Sequence, residues 1–218
     1  MQFLKRVYAA FVAPCVYFFR SGHVFSGLLR RSVDFQLKPI PWYTKPAIDF
    51  LSTRDFEAAT VLEIGGGQST FWWASRARKV VTFDQSKDWI SKIDRQNLSN
   101  VEAFWVDRSN RDKVAFDVLN VLDERGMDAF DVIIVDGLER AQLAQLLTPR
   151  LSPSGLLVCD NSEGYGFFEV TRDMNLLRVD FAGLAPGVIK PHVTSVFSNH
   201  PHMLLSPQIK IGNPNDRD

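Results

Sequence analysis

The chain has 218 residues, enough for one domain with peripheral additions and a sizeable buried core. Its 25 basic and 25 acidic residues cancel, so no global charge invites nucleic acid. Its two cysteines, Cys15 and Cys159, are too few for a disulfide framework or a C-x-x-C zinc site, which makes a reducing cytoplasm the default compartment.

The charge is unevenly spread. Residues 1–38 hold Lys5, Arg6, Arg20, Arg30, Arg31 and Lys38 against Asp34 alone, a local charge of +5 that leaves −5 on the rest. Val7 to Phe19 is an apolar run of 13 residues, short of the roughly 20 that span a bilayer. Lys5-Arg6 ahead of it suit a signal peptide, but no small-residue cleavage site follows. Leu4, Val7, Tyr8, Phe11 and Cys15 fall at helical spacing, which predicts an amphipathic helix broken near Pro14. The leading expectation packs this helix on the domain or over its ligand site. A second lays it on anionic lipid at the inner membrane surface through its basic residues.

Lys38 to Pro46 is a proline-punctuated aromatic linker that cannot continue a helix, so residues 1–46 read as an N-terminal extension. Within it, Pro41-Trp42-Tyr43 supplies either a satellite core cluster or the wall of an acceptor pocket. Ala47 to Leu51 reads as a short helix leading into the first strand.

Thr60-Val61-Leu62-Glu63-Ile64 is a strand, Gly65-Gly66-Gly67 a tight turn, and Gln68-Ser69-Thr70 the opening of a helix. Glycines there let a ligand approach the backbone closely, and the first helical turn offers free N–H groups. The next strand, Lys79 to Asp84, ends in an acid placed to reach the hydroxyls of a bound ribose. Phe71-Trp72-Trp73-Ala74 predicts a helix whose aromatics face the sheet, and Trp89, Ile90 and Ile93 stripe the following helix. Val101 to Asp107 is a third strand, and Asn110 to Gly126 a helix with Gly126 beyond its end. Phe130 to Asp136 is a fourth strand, almost wholly apolar as a strand covered on both faces should be. Leu138 to Leu147, Gly155 to Asp160 and Gly164 to Leu176 then read as helix, strand and helix.

The alternation stops there. Leu177 to Ala182 and Val193 to Phe197 are strands without a helix between them, so they must pair antiparallel. The predicted fold is α/β: a doubly wound, mostly parallel seven-stranded sheet closed by an antiparallel hairpin, over residues 47–205. Residues 206–218 read as a frayed tail.

Glu63-x-Gly65-x-Gly67 with Asp84, Val135-Asp136-Gly137 with Arg140, Asp160-Asn161-Ser162 and Pro41-Trp42-Tyr43 together resemble the class I, Rossmann-like S-adenosylmethionine-dependent methyltransferases. The likeness runs from about Pro39 to Phe197, and the combination is similar to a bacterial branch, some of whose members sit among surface-polysaccharide genes. It implies a cofactor site of Glu63, Gly65, Gly66, Gly67, Ser69, Thr70, Asp84, Asp107 and Asp136, with Glu63 at the amino-acid end, Asp84 at the ribose and Asp107 near adenine. A nicotinamide enzyme would share Asp84 but not the acid inside the first turn.

Asp136, Asp160 and His192, in that order, are the candidate bases for a hydroxyl acceptor; a lone loop histidine is more often solvent-exposed. Asp136, Asp160 and Asn161 also resemble the metal ligands of catechol-type O-methyltransferases, and two carboxylates with an amide oxygen suit magnesium. That alternative lacks a lysine after Asp136, so the reading without metal is preferred. The expected partner is a small-molecule, glycan or lipid-linked acceptor, and not nucleic acid. The rival class is a cofactor-binding scaffold without turnover.

Overall fold

The computed structural model describes residues 2–205; the predicted tail from Ser206 lies outside them. Seven strands form one sheet: β1 Thr60–Ile64, β2 Lys79–Asp84, β3 Val101–Trp105, β4 Phe130–Val135, β5 Leu151–Asp160, β6 Leu177–Gly183 and β7 His192–Ser198. Their order is β3-β2-β1-β4-β5-β7-β6. The first five run parallel, and β7 lies antiparallel between β5 and β6, as the missing crossover helix requires.

Period-two alternation sorts the strands into two cores. Leu62, Ile64, Val81 and Phe83 point to the face covered by α6 (Arg111–Glu124) and α7 (Arg140–Leu147). Val61 and Val80 point to the other face, against α3 (Lys45–Ser52) and α4 (Gln68–Ala74), whose Trp72 and Trp73 are buried as expected. Glu63 and Thr82, paired across β1 and β2, belong to this second parity. A carboxylate is thereby committed to the interior beneath α4.

Two helices differ from the sequence expectation. α8 is Phe167–Thr171 rather than a helix over residues 164–176, because Tyr165 and Gly166 take left-handed conformations before it and Asn175 another after it. α5 (Lys87–Arg95) follows prediction, with Ile93 buried. α1 (Gln2–Arg20) runs through Pro14 without a break: the ring's fixed φ is helical, although the bond to Ala10 carbonyl is lost. More important, α1 has no buried residue. The leading expectation, a helix packed on the domain or over the ligand site, is not met. The short α2 (His23–Leu29) ties the extension down instead: Ser26 hydroxyl donates to Val33 carbonyl at 2.9 Å, and Gly187 N–H donates to His23 Nδ1 at 3.2 Å. α9 (Pro201–Leu205) closes the described chain.

Candidate active site

A crevice of about 570 Å³ opens at the carboxyl ends of the parallel strands, where the strand order reverses between β1 and β4. Gly65, Gly66, Gly67 and Ser69 line it after β1, Asp84 at the end of β2, and Asp136 after β4. Asp160 ends β5 and Asn161 follows it, and His192 begins β7, whose reversed direction delivers its first residue to the same edge.

Three expected cofactor residues lie elsewhere. Glu63 is fully buried beneath the turn, its Oε2 accepting from Thr70 Oγ1 at 2.5 Å and Thr82 Oγ1 at 2.8 Å. Thr70 Oγ1 also accepts from Gly67 N–H at 3.0 Å, so both residues brace the turn from below rather than line the crevice. Glu63 Oε1 has no hydrogen-bond partner among the described residues. Burial pushes the Glu63 carboxyl up to about 7, with the surrounding hydroxyls opposing and Asp84 adding to the rise. Asp107 is exposed and folded back on Ser109, accepting from its N–H at 2.9 Å and its hydroxyl at 2.8 Å. These bonds hold it below the usual carboxylate range. The neighbouring Arg108 lines the crevice in its place, donating to Gln85 Oε1 at 3.1 Å.

Asp84 is where the strand-end argument puts it. Its Oδ1 accepts from Ser86 N–H at 2.6 Å, and partial burial raises its pKa against that bond and one from Gly66.

Across the crevice, Arg140 organises β4 and β5. Its Nη1 donates to Asp160 carbonyl at 2.6 Å and Asn161 Oδ1 at 2.8 Å; its Nη2 donates to Asp136 carbonyl at 2.8 Å and lies 3.1 Å from Asp136 Oδ1. The guanidinium stacks over Tyr165 at 4.4 Å. Of the three side chains in the magnesium alternative, the guanidinium thus contacts those of Asp136 and Asn161, and it meets Asp160 only at the main chain. Burial and the adjacent Asp160 carboxylate raise Asp136 well above the usual range, with Arg140 opposing them.

His192 is not the solvent-exposed loop residue its isolation in the sequence suggested. Its side chain is 10% exposed, with Nε2 3.6 Å from Asp160 Oδ1, an ion-pair separation longer than a hydrogen bond. Asp160 raises the imidazole, and burial opposes it. The carboxylate is held by Thr194 Oγ1 at 2.6 Å, and that hydroxyl accepts from Thr44 N–H at 2.9 Å. The aromatic pair divides between its two readings: Tyr43 is core, its hydroxyl 3.3 Å from Trp73 Nε1, whereas Trp42 is half-exposed in the crevice wall.

Arg30, Arg31, Trp89 and Tyr165 also line the crevice and were not picked out from the sequence. The adjacent arginines were a visible signal; their nearness to the glycine turn was not.

No protein-family model and no curated protein matches the sequence. Solved structures do. The O-methyltransferase of Bacillus cereus, in complex with SAH, superposes with a TM-score of 0.50 at 17% identity, over 89% of this chain and 97% of that one. A methyltransferase from Geobacter sulfurreducens gives 0.50 at 15% identity, over 74% and 82%. At these identities the likeness is one of fold. In strand order, crevice position and these superpositions, the chain has the fold of the class I S-adenosylmethionine-dependent methyltransferases, the superfamily its motifs resemble.

Proposed function

We propose that the chain transfers the methyl group of S-adenosylmethionine to a hydroxyl of a small-molecule or glycan acceptor. The observation that carries this is a crevice with a glycine turn and Asp84 on one side and a buried Asp160–His192 pair on the other. The residues suit such a cofactor. A Cβ on Gly67 would meet nothing nearer than Ser69 Oγ at 3.9 Å, so the missing side chain leaves ligand space rather than packing space. Asp84 offers a carboxylate to paired hydroxyls, and Trp89 an aromatic face beside it. When bound, the cofactor supplies an electrophilic methyl carbon; the protein's part is orientation and proton removal.

Neutral His192 takes the acceptor's proton, and Asp160, facing its Nε2 at 3.6 Å, stabilises the imidazolium that forms. Arg140 stands beside them, and the acceptor is oriented by side chains. Arg30 and Arg31 make no hydrogen bond or ion pair among the described residues, so an acceptor with an anionic group would meet two uncommitted guanidiniums at the rim. Labelled S-adenosylmethionine incubated with the chain and cell extract, with the product read by mass spectrometry, tests the proposal. Cofactor binding without label transfer would favour the scaffold reading.

A further inference from the structure

Helix α1 is the least satisfied element of the molecule. Nineteen residues long, it buries none of them, and Phe3, Leu4 and Phe11 are each more than 70% exposed. Leu4, Tyr8, Phe11, Cys15 and Phe18 make one stripe at helical spacing, flanked by Val7 and Phe19. A patch of this size left in water favours association. Among the described residues no helix is long and apolar enough to cross a membrane. The uncharged stretch Val7 to Phe19 would rise only about 20 Å, against roughly 30 Å of hydrocarbon.

The charges around this stretch select what covers it. Lys5 and Arg6 stand before it and Arg20 after it, and no acid precedes Asp34. Apolar side chains bracketed by cations match an interface of acyl chains and anionic headgroups, whereas a soluble protein's core would have to bury those cations.

We infer that α1 lies in the plane of an anionic bilayer, its aromatic stripe in the headgroup–acyl boundary and its basic residues on lipid phosphates. This is independent of the methyltransferase reading.

The test is sedimentation of the full chain with vesicles of phosphatidylcholine alone or mixed with phosphatidylglycerol, at low and high salt. The expected result is pelleting with the anionic vesicles that falls at high salt, since exposed charges are screened beyond a Debye length. Lys5→Glu with Arg6→Glu should weaken the partition about tenfold or more, at the contribution usual for basic residues near an anionic surface. Phe11→Asp should abolish it, and because Phe11 is 73% exposed, circular dichroism should report an intact fold. Failure to pellet at low salt, or equal pelleting of Phe11→Asp, overturns the inference. So does a dimer seen by light scattering that Phe11→Asp dissolves while vesicles go unbound, which would make a second copy the occupant.

Discussion

Gly65 and Gly137 cross so closely that a Cβ on Gly65 would lie 2.7 Å from Gly137 N, and one on Gly137 2.6 Å from Gly65 Cα. The turns after β1 and β4 are thus in backbone contact at the floor of the crevice, and Gly65 has φ +108° besides. The sequence assigns Gly65 and Gly67 one role, ligand approach; the structure separates them. Gly65→Val should destabilise the fold by at least about 2 kcal/mol, through strain and overpacking. Gly67 is extended and faces open space, so Gly67→Val should melt like the parent yet lose cofactor affinity tenfold or more. Thermal melts paired with calorimetry read both, and equal melting of the two variants would contradict the division.

Asp84→Ala should weaken S-adenosylmethionine binding by about 1.5–3 kcal/mol, the range for hydrogen bonds to a charged acceptor. Calorimetry at neutral pH is the check. Unchanged affinity would move the ribose site off β2.

Glu63 makes stability fall with rising pH. Its folded pKa, about 7, stands above the ordinary 4.5, so between those values the unfolded chain releases a proton that the folded chain keeps. Its stabilising contribution is complete below 4.5 and lost as pH rises through 7, an amount of about 3 kcal/mol at roughly 1.4 kcal/mol per pKa unit. Glu63→Gln should remove that fall, so the difference in denaturation free energy between variant and parent should grow across the window. A difference that stays flat from pH 4.5 to 8 would mean Glu63 is ionised throughout.

His192 should act as base only once it has lost its proton, and Asp160 raises the pH at which it does so. Transfer should therefore increase with pH, with a midpoint above the ordinary imidazole value of 6.5. His192→Gln should lower kcat by about 10²–10⁴ and flatten that limb while leaving cofactor binding intact. Asp160→Asn should shift the midpoint downward, a change that lost packing alone would not produce.

The strands, the glycine turn and the antiparallel ending were legible in the sequence because each is a local pattern. Alternation along Val61 to Ile64 and Val80 to Phe83, a cluster of glycines, and a loop where a crossover helix would be needed all lie within a short window. The acids at strand ends were legible for the same reason, and Asp84, Asp136 and Asp160 do border the crevice.

What the sequence left open was settled by contacts between distant segments. Glu63 was assigned to the ligand because an acid in a turn reads as functional; the pairing of β1 with β2 sets it opposite Thr82, on the buried parity. His192 reaches the crevice because β7 inserts beside β5, which brings it to an aspartate 32 residues earlier in the chain. Arg140 bonds the ends of both strands because β4 and β5 are neighbours, and α1 buries none of its residues. Periodicity reports which side of an element is apolar; which partner meets that side is decided by strand order and by the direction of each strand, and neither is written in any one stretch of chain.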